Sequence, residues 1–472
     1  MLTEMKFPLP IVLFATLIVT ACTVHPTQDC SPLPLKSLSE VGNTLAVGCE
    51  TLDRDYADYD AYKDYLEPLG MRFIRLQAGW AKCEKQKGVY DFAWLDQIID
   101  DAVSRGLEPW LELSYGNPIY EGGGTPFLSG GWPRSREALD AWTAWTLELA
   151  LRYKGKVHQW EIWNEPDLTI RRGGAIEEIV EIAFISANII KGIDPDAKIA
   201  AFGLAGPRHT DISEPLLKCL HDKIIASGHG DLFDWISYHG YHYVPEEAYF
   251  IDADSLKTVL ARCSWSIPVW EGETGAPSQG YMGGALNDYP WSEISQAKWD
   301  LRRILNDHAH GVRTSIFSIA DMNYASGDAI KKKNCKGLLE TDGSNNVIRS
   351  KLAYEALRNL VSVFDNLDSS CDSTAIKAKG VSGLAAYLFE DRETQLKSAV
   401  LWQGGGIPGD SRGTIPATVS IKGFKCKNPV CIDLLDGRVL APAYRRLPGK
   451  TILLDIPIYD SPVVICDKKL IY

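Results

Sequence analysis

Beyond its first 21 residues the 472-residue chain has no apolar run long enough to cross a bilayer. It also lacks a positive charge balance. Lys and Arg number 49 against 61 Asp and Glu, for a net charge of −12, which argues against a nucleic-acid partner. It lacks CxxC spacing: Cys22 aside, its cysteines are scattered from Cys30 to Cys466, so no zinc site is predicted. Internal repeats and low-complexity linkers are absent. With 45% apolar and 23% charged residues, disorder, a collagen-like chain and a small disulfide scaffold are excluded. The aromatic content is high, with 14 Trp, 20 Tyr and 13 Phe. Composition favours a large aromatic core over flat platforms for sugar rings.

The N-terminal run from Phe7 to Ala21 is too short for a membrane span and reads as the apolar part of an export leader. It ends Val19-Thr20-Ala21-Cys22, which resembles a bacterial lipobox with Cys22 as the lipidated residue. The expectation is residues 1–21 as leader, 22–40 as tether, and export to the bacterial cell envelope. The lipid would be the only membrane contact. Thr23 after the cysteine favours the outer membrane. An ordinary cleaved secretory leader is the alternative. Cys426 and Cys431 are close enough to pair across a turn; free buried thiols are the equal alternative.

From about 41 to 368, β-branched apolar runs alternate with stretches of helical period. Strands are predicted near 43–49, 71–76, 107–113, 157–163, 197–202, 233–238, 267–271 and 313–319. Helices are predicted near 58–69, 92–105, 135–153, 175–193, 213–226, 253–263, 291–309 and 350–363. Eight strand–helix units predict an α/β fold, a (β/α)8 TIM barrel. A doubly wound open sheet would want a glycine-rich phosphate turn after its first strand, and none is present. Extra length follows strands three, seven and eight, where barrel loops build the active face. From 369 to 472 short alternating segments between Gly, Pro and Asp turns predict a C-terminal β-sandwich, with a strand borrowed from near 35–42.

Two strings carry chemistry. The fourth strand runs into His158-Gln-Trp-Glu-Ile-Trp-Asn-Glu-Pro-Asp-Leu168. Alternation places Glu161, Trp163 and Glu165 on one side, with Glu165 at the strand's end between Trp163 and Pro166. Such partly apolar surroundings raise a carboxyl pKa and favour a general acid. Asn164 can both donate to and accept from a sugar hydroxyl. The seventh strand reads Ile267-Pro-Val-Trp-Glu-Gly-Glu-Thr-Gly-Ala-Pro277. Glu271 and Glu273 are two apart, so both are candidates to point inward. Glu273 is the better reacting carboxylate, and Glu271 reads as a deeper partner for an arginine.

These strings resemble the retaining glycoside hydrolases of clan A. "EIWNEPDL" is most similar to family 39-type members, the beta-xylosidase type, and "CETLDRDY" (49–56) and "SYGNP" (114–118) resemble members of that group. The resemblance spans about 40–365. It implies Glu165 as acid/base and Glu273 as nucleophile of a double displacement on β-linked glycans or their stereochemical equivalents. It also implies that Arg75 holds the nucleophile ionised, that Tyr241 hydrogen-bonds it, and that His239 borders the reacting sugar. Glu50, Trp80, Tyr115 and Asn117 are candidate sugar-binding residues; for Glu50 a salt-bridge or capping role is the alternative, as it is for Asp53. Many members carry a tryptophan ending the eighth strand; Ser315-Ile-Phe-Ser-Ile-Ala-Asp-Met-Asn-Tyr324 has none, leaving Asp321, Asn323 or Tyr324 to shape the floor. No metal or organic cofactor is expected. The expected partner is an oligosaccharide or polysaccharide, with exo action favoured over endo. A non-catalytic glycan-binding lipoprotein and a transglycosidase are the competing readings.

Overall fold

A computed structural model describes residues 31–472, apart from 231, 281–283, 327–328, 365–366 and 371–372. The leader and Cys22 lie outside the described residues. Eight parallel strands close into a barrel. They are β1 (Ala46–Gly48), β2 (Phe73–Gln77), β3 (Glu108–Leu113), β4 (Gln159–Asn164), β5 (Lys198–Leu204), β6 (Trp235–Tyr238), β7 (Val269–Thr274) and β8 (Thr314–Ile316). Closure is made by β1, whose Ala46 pairs with Phe73 on one side and Ser315 on the other. Every strand is covered by helices outside and side chains inside, which is why the strands read as near-continuous apolar runs.

The outer ring comprises α1 (Ala93–Ser104), α2 (Arg136–Tyr153), α3 (Ile176–Ile193), α4 (Thr210–Ser227), α5 (Asp254–Arg262), α6 (Glu293–Ala309) and α7 (Leu352–Val363). Short helices Tyr59–Tyr62 and Leu66–Leu69 follow β1. Ser135 and Ser292 accept backbone N–H bonds at the starts of α2 and α6, so each helix begins where a hydroxyl satisfies an orphan donor. The strands and helices stand where sequence periodicity put them.

Inside the barrel, side chains stack in layers. At the bottom Phe73, Trp110, Trp235 and Trp270 fill the bore, with Trp110 and Trp270 centroids 4.8 Å apart. Above them lies a charged layer built on Arg75, whose guanidinium sits over the Trp110 ring at 5.6 Å. The active-face residues stand above that.

The β-domain is a sandwich of a seven-stranded and a four-stranded antiparallel sheet. Strand Ile415–Lys422 shows the two-residue period, with Ala417, Val419 and Ile421 buried. The N-terminal segment joined to the larger sheet is Ser31–Pro32, pairing with Arg438–Leu440, rather than 35–42, where Leu38–Glu40 forms a 3-10 turn. Strand Leu367–Ser370 straddles the expected boundary. Cys426 and Cys431 are both free and buried, as the second of the two sequence readings has them, and every described cysteine is free, so the cross-turn pairing does not form. Cys431 lies within strand Pro429–Asp433, where its neighbours bond across the sheet and not back along the turn.

The β-domain rests on α6, which has buried residues all round. Lys298 donates to Gly409 O at 2.8 Å and pairs with Asp460 at 2.6 Å. Arg302 binds both oxygens of Glu246, each at 2.7 Å, and Gly406 O at 3.0 Å. Trp402 of the β-domain donates to Glu246 Oε1 at 2.6 Å.

Candidate active site

At the C-terminal ends of the strands lies a cavity of about 680 Å³. Its walls include Glu50, Tyr115, Asn164, Glu165, Tyr241 and Glu273 from the barrel strand ends. All three long insertions reach it: Phe127 and Leu128 after β3, Gly284 to Leu286 after β7, and Tyr324, Lys332, Asn334 and Lys336 after β8.

Simple alternation is interrupted on the strands that carry the carboxylates. In β4, Trp163 takes φ +71° and Glu165 φ +51°. Trp163 therefore turns outward, against Trp132, Trp142 and Tyr115, and does not share a face with Glu161. Glu161 and Asn164 both meet Arg75 instead. In β5, Phe202 has φ +55°, shifting the register against β6 so that Gly203 faces the site. A Cβ on Gly203 would stand 2.6 Å from both Glu161 Oε1 and His239 Nε2, so only glycine leaves room there. In β7 the register shifts between Glu271 and Thr274. Glu271 consequently does not point inward with Glu273: it bonds Arg303 of α6 and accepts from Gly240 N at 2.9 Å.

Glu165 and Glu273 face each other, with His239 between them. One oxygen of each and His239 Nδ1 all lie within 4.8 Å of one another. His239 Nδ1 is 2.9 Å from Glu165 Oε1 and 3.7 Å from Glu273 Oε2. Burial pushes His239 down to about 4, with Arg75 adding to the effect. The ring is neutral near pH 7. Arg75 Nη2 lies 3.5 Å from His239 Nε2 and can only donate, so the ring proton belongs on Nδ1, which donates to Glu165. Burial raises Glu165 to about 8, with Asp167 adding to it, against the pull of Arg75.

Glu273 is held from two sides. Tyr241 Oη donates to its Oε1 at 2.7 Å, and Arg75 Nη1 lies 3.4 Å from its Oε2. Arg75 also meets Glu50 at 2.5 Å, Glu161 at 2.9 Å, Glu112, and Asn164 Oδ1 at 3.0 Å. Four carboxylates thus surround one guanidinium. Burial raises Glu50 well above the usual carboxylate range and Glu112 to about 7, so part of this cluster carries protons. The trio of Glu165, His239 and Glu273 is close enough to face one cation, but a dication there would be repelled by the adjacent guanidinium.

The other candidates divide. Tyr115 lines the cavity and accepts from Asn164 Nδ2 at 2.8 Å. Arg75 and His239 lie directly beneath the lining. Trp80 does not reach the cavity: it is buried outside the barrel, 5.5 Å from Trp142 of α2, donating to Glu84 at 2.6 Å. Asn117 is also absent from the lining, because its amide fixes the loop after β3 through Glu84 O at 2.8 Å and Ile119 N at 3.2 Å. Asp321 is engaged by Lys351 at 2.6 Å and Asn323 by Asp342 O at 2.7 Å; of the three floor candidates only Tyr324 lines the cavity. Phe317, next after β8, also lines it.

No tryptophan is among the lining residues; tyrosines and phenylalanines supply the ring faces. The polar lining residues missed from sequence include Arg54, Tyr56, Gln77, Arg208, Lys332, Asn334 and Lys336. Arg54 and Tyr56 stood inside the quoted "CETLDRDY" string. The lysines had no pattern to mark them.

Residues 43–261 match the family model for glycosyl hydrolases family 39. The match takes in β1 to β6, with Glu165, His239 and Tyr241, and stops before Glu273. The chain is 27% identical over 213 residues to a beta-xylosidase of Caldicellulosiruptor saccharolyticus, covering 42% of this chain and 41% of that one. It is 30% identical over 164 residues to a beta-1,4-xylanase of Dictyoglomus thermophilum, covering 31% and 42%. The chain thus spans about two fifths of the length of these curated relatives. A family 39 glycoside hydrolase from Bacteroides cellulosilyticus WH2 superposes with TM-score 0.62 at 18% identity, over 92% of this chain and 83% of that one, a likeness of fold.

Proposed function

We propose that the chain is a retaining glycoside hydrolase acting on β-linked glycans. The observation that carries this is the spacing of the two carboxyls. An oxygen of Glu165 and one of Glu273 lie within 4.8 Å, which suits direct attack on the anomeric carbon. An inverting pair would stand about 6.5–9.5 Å apart to admit a water. Glu273, held by Tyr241 and Arg75, attacks the anomeric carbon. Glu165, protonated at neutral pH, gives its proton to the leaving glycosidic oxygen. Water then attacks the covalent glycosyl-enzyme, and Glu165, now ionised, takes its proton. His239 fixes the carboxyl of Glu165 by a hydrogen bond and does not compete for the proton, being neutral.

Xylose-type glycans are the first substrates to try, since the relatives are described as beta-xylosidase and beta-1,4-xylanase. The three insertions walling the cavity favour exo action. The leader-like residues before Cys22 support export with a lipid tether; Cys22→Ser should release the protein from membranes. The reaction is tested by proton NMR of the first-formed sugar from a 4-nitrophenyl β-glycoside. The β-anomer should appear first. An initial α-anomer, or no hydrolysis across neutral and acidic glycosides, would overturn the reading.

A further inference from the structure

The cavity carries more positive charge than a neutral sugar calls for. Arg54, Arg208, Lys332 and Lys336 line it beside Glu50, Glu165 and Glu273. Two of these cations have carboxylate partners: Arg54 pairs with Asp53 at 3.2 Å and Arg208 with Asp252 at 3.4 Å. Neither lysine has one within ion-pair distance among the described residues.

Lys336 is 3% exposed. Its ammonium has three donors. One goes to the carbonyl of Ala285, a neutral acceptor on the insertion after β7. Its Nζ lies 5.4 Å from the Tyr241 ring, the ring whose hydroxyl holds Glu273. Lys336 therefore stands beside the place where a sugar would be attacked. Lys332 lies further out and half-buried, 5.8 Å from the ring of Tyr324, its partner across the hairpin. Burial pulls Lys336 down to about 8, against the attraction of Glu273 and Asp300, which still leaves it cationic at neutral pH.

Among the described residues the buried ammonium bonds one neutral acceptor, and Glu273 and Asp300 act on it only from beyond ion-pair distance, so an anion in direct contact would offset much of the cost of burying it. Sugar hydroxyls do not need it, since Gln77, Tyr115, Asn164 and Asn334 already offer amide and phenol groups on the same walls. We propose that the glycan taken by this cavity bears an anionic group, a carboxylate or a sulfate ester, on the ring held against Glu273. Lys336 receives that group, with Lys332 at its outer edge. The position of the ring rests on the hydrolase reading; the charge of the ligand does not.

The test is calorimetric titration of the whole protein with D-glucuronate, its neutral amide D-glucuronamide, D-glucose 6-sulfate and D-xylose. At least one acidic sugar should bind about tenfold or more tighter than the neutral pair, the scale expected of a charge-assisted bond. Whether glucuronate or the sulfate binds tighter tells the two anions apart. The advantage should shrink with added salt and disappear in Lys336→Met, with part of it kept in Lys336→Arg. A merely structural lysine holding Ala285 would weaken acid and amide alike. If Lys336→Met does not fold, as judged by circular dichroism, Lys332→Met and the wild-type salt dependence carry the same comparison. Equal binding of acidic and neutral sugars, or an advantage that survives these changes, overturns the proposal. Hydrolysis of 4-nitrophenyl β-D-glucuronide and β-D-xyloside is followed separately. Xyloside turnover with no acid advantage would sink this proposal and spare the hydrolase; an acid advantage without turnover would do the reverse.

Discussion

Tyr241 donates its hydroxyl to Glu273 across 2.7 Å. The bond reaches from the loop after β6 to the end of β7, so it fixes the carboxylate relative to two strands at once. A hydrogen bond to a charged acceptor contributes about 1.5–3 kcal/mol. Tyr241→Phe is therefore expected to lower kcat on an aryl glycoside by roughly 10- to 100-fold while the fold stays intact. Steady-state kinetics beside a thermal melt checks this. An unchanged kcat would remove Glu273 from the role given it.

Glu165 should set the basic limb of activity. Its carboxyl sits at about 8, chiefly through burial, and is the proton donor only below that. kcat/KM on a glycoside with a poor leaving group should fall as pH rises through about 8. Glu165→Gln should lose the limb and about 10²–10⁴ in rate, with a much smaller loss for a dinitrophenyl leaving group. Stability follows the same sign. Above the unfolded carboxyl range the folded chain keeps a proton that the unfolded chain gives up, so this contribution fades as pH rises through about 8.

Glu246 joins the barrel to the β-domain. Its side chain is held, half-buried, between Arg302 and Trp402. Against the upward pull of burial, Arg302 first and then Trp402 hold it below its ordinary 4.5. Glu246→Ala would leave the Arg302 guanidinium, 1% exposed, without its carboxylate, at a cost of about 3–5 kcal/mol. Denaturant unfolding measures this. The wild-type contribution should be present above the ordinary carboxyl range and be lost as pH falls below it.

Trp80 offers a negative control for sugar contact. Fully buried among Tyr120, Trp142 and Trp145, it should cost about 3–5 kcal/mol of stability as Trp80→Ala. KM measured well below the variant's melting temperature should not move. A selective rise in KM would return Trp80 to the cavity.

The barrel was legible because each strand is buried on both faces and each helix except α6 chiefly on one, so periodicity maps directly onto the elements. Glu165 and Glu273 were legible because strand ends with Glu, Asn and Pro are unusual strings. The faces of the neighbouring residues were not. A period of two assumes extended backbone, and Trp163 and Phe202 leave it for positive φ. The shift in β7 likewise separates Glu271 from Glu273. Trp80 and Asn117 misled because an aromatic or amide after a strand end reads alike whether it faces the bore or the helices. Lys336 was invisible because only the return of a long insertion brings it beside Tyr241.

The three insertions and the α6 seam occupy separate lengths of chain. Tyr115, Phe127 and Leu128, residues 284–286, and Tyr324, Lys332, Asn334 and Lys336 touch the ligand space, while 293–309 and 399–411 help hold the two domains together. Leu286 apart, which packs with Trp299 of α6 and Ile407, drift in the first set can retune what is bound without loosening the second. A library confined to the rim should therefore return many folded variants with altered preference, whereas one spread over α6 should return mostly insoluble chains.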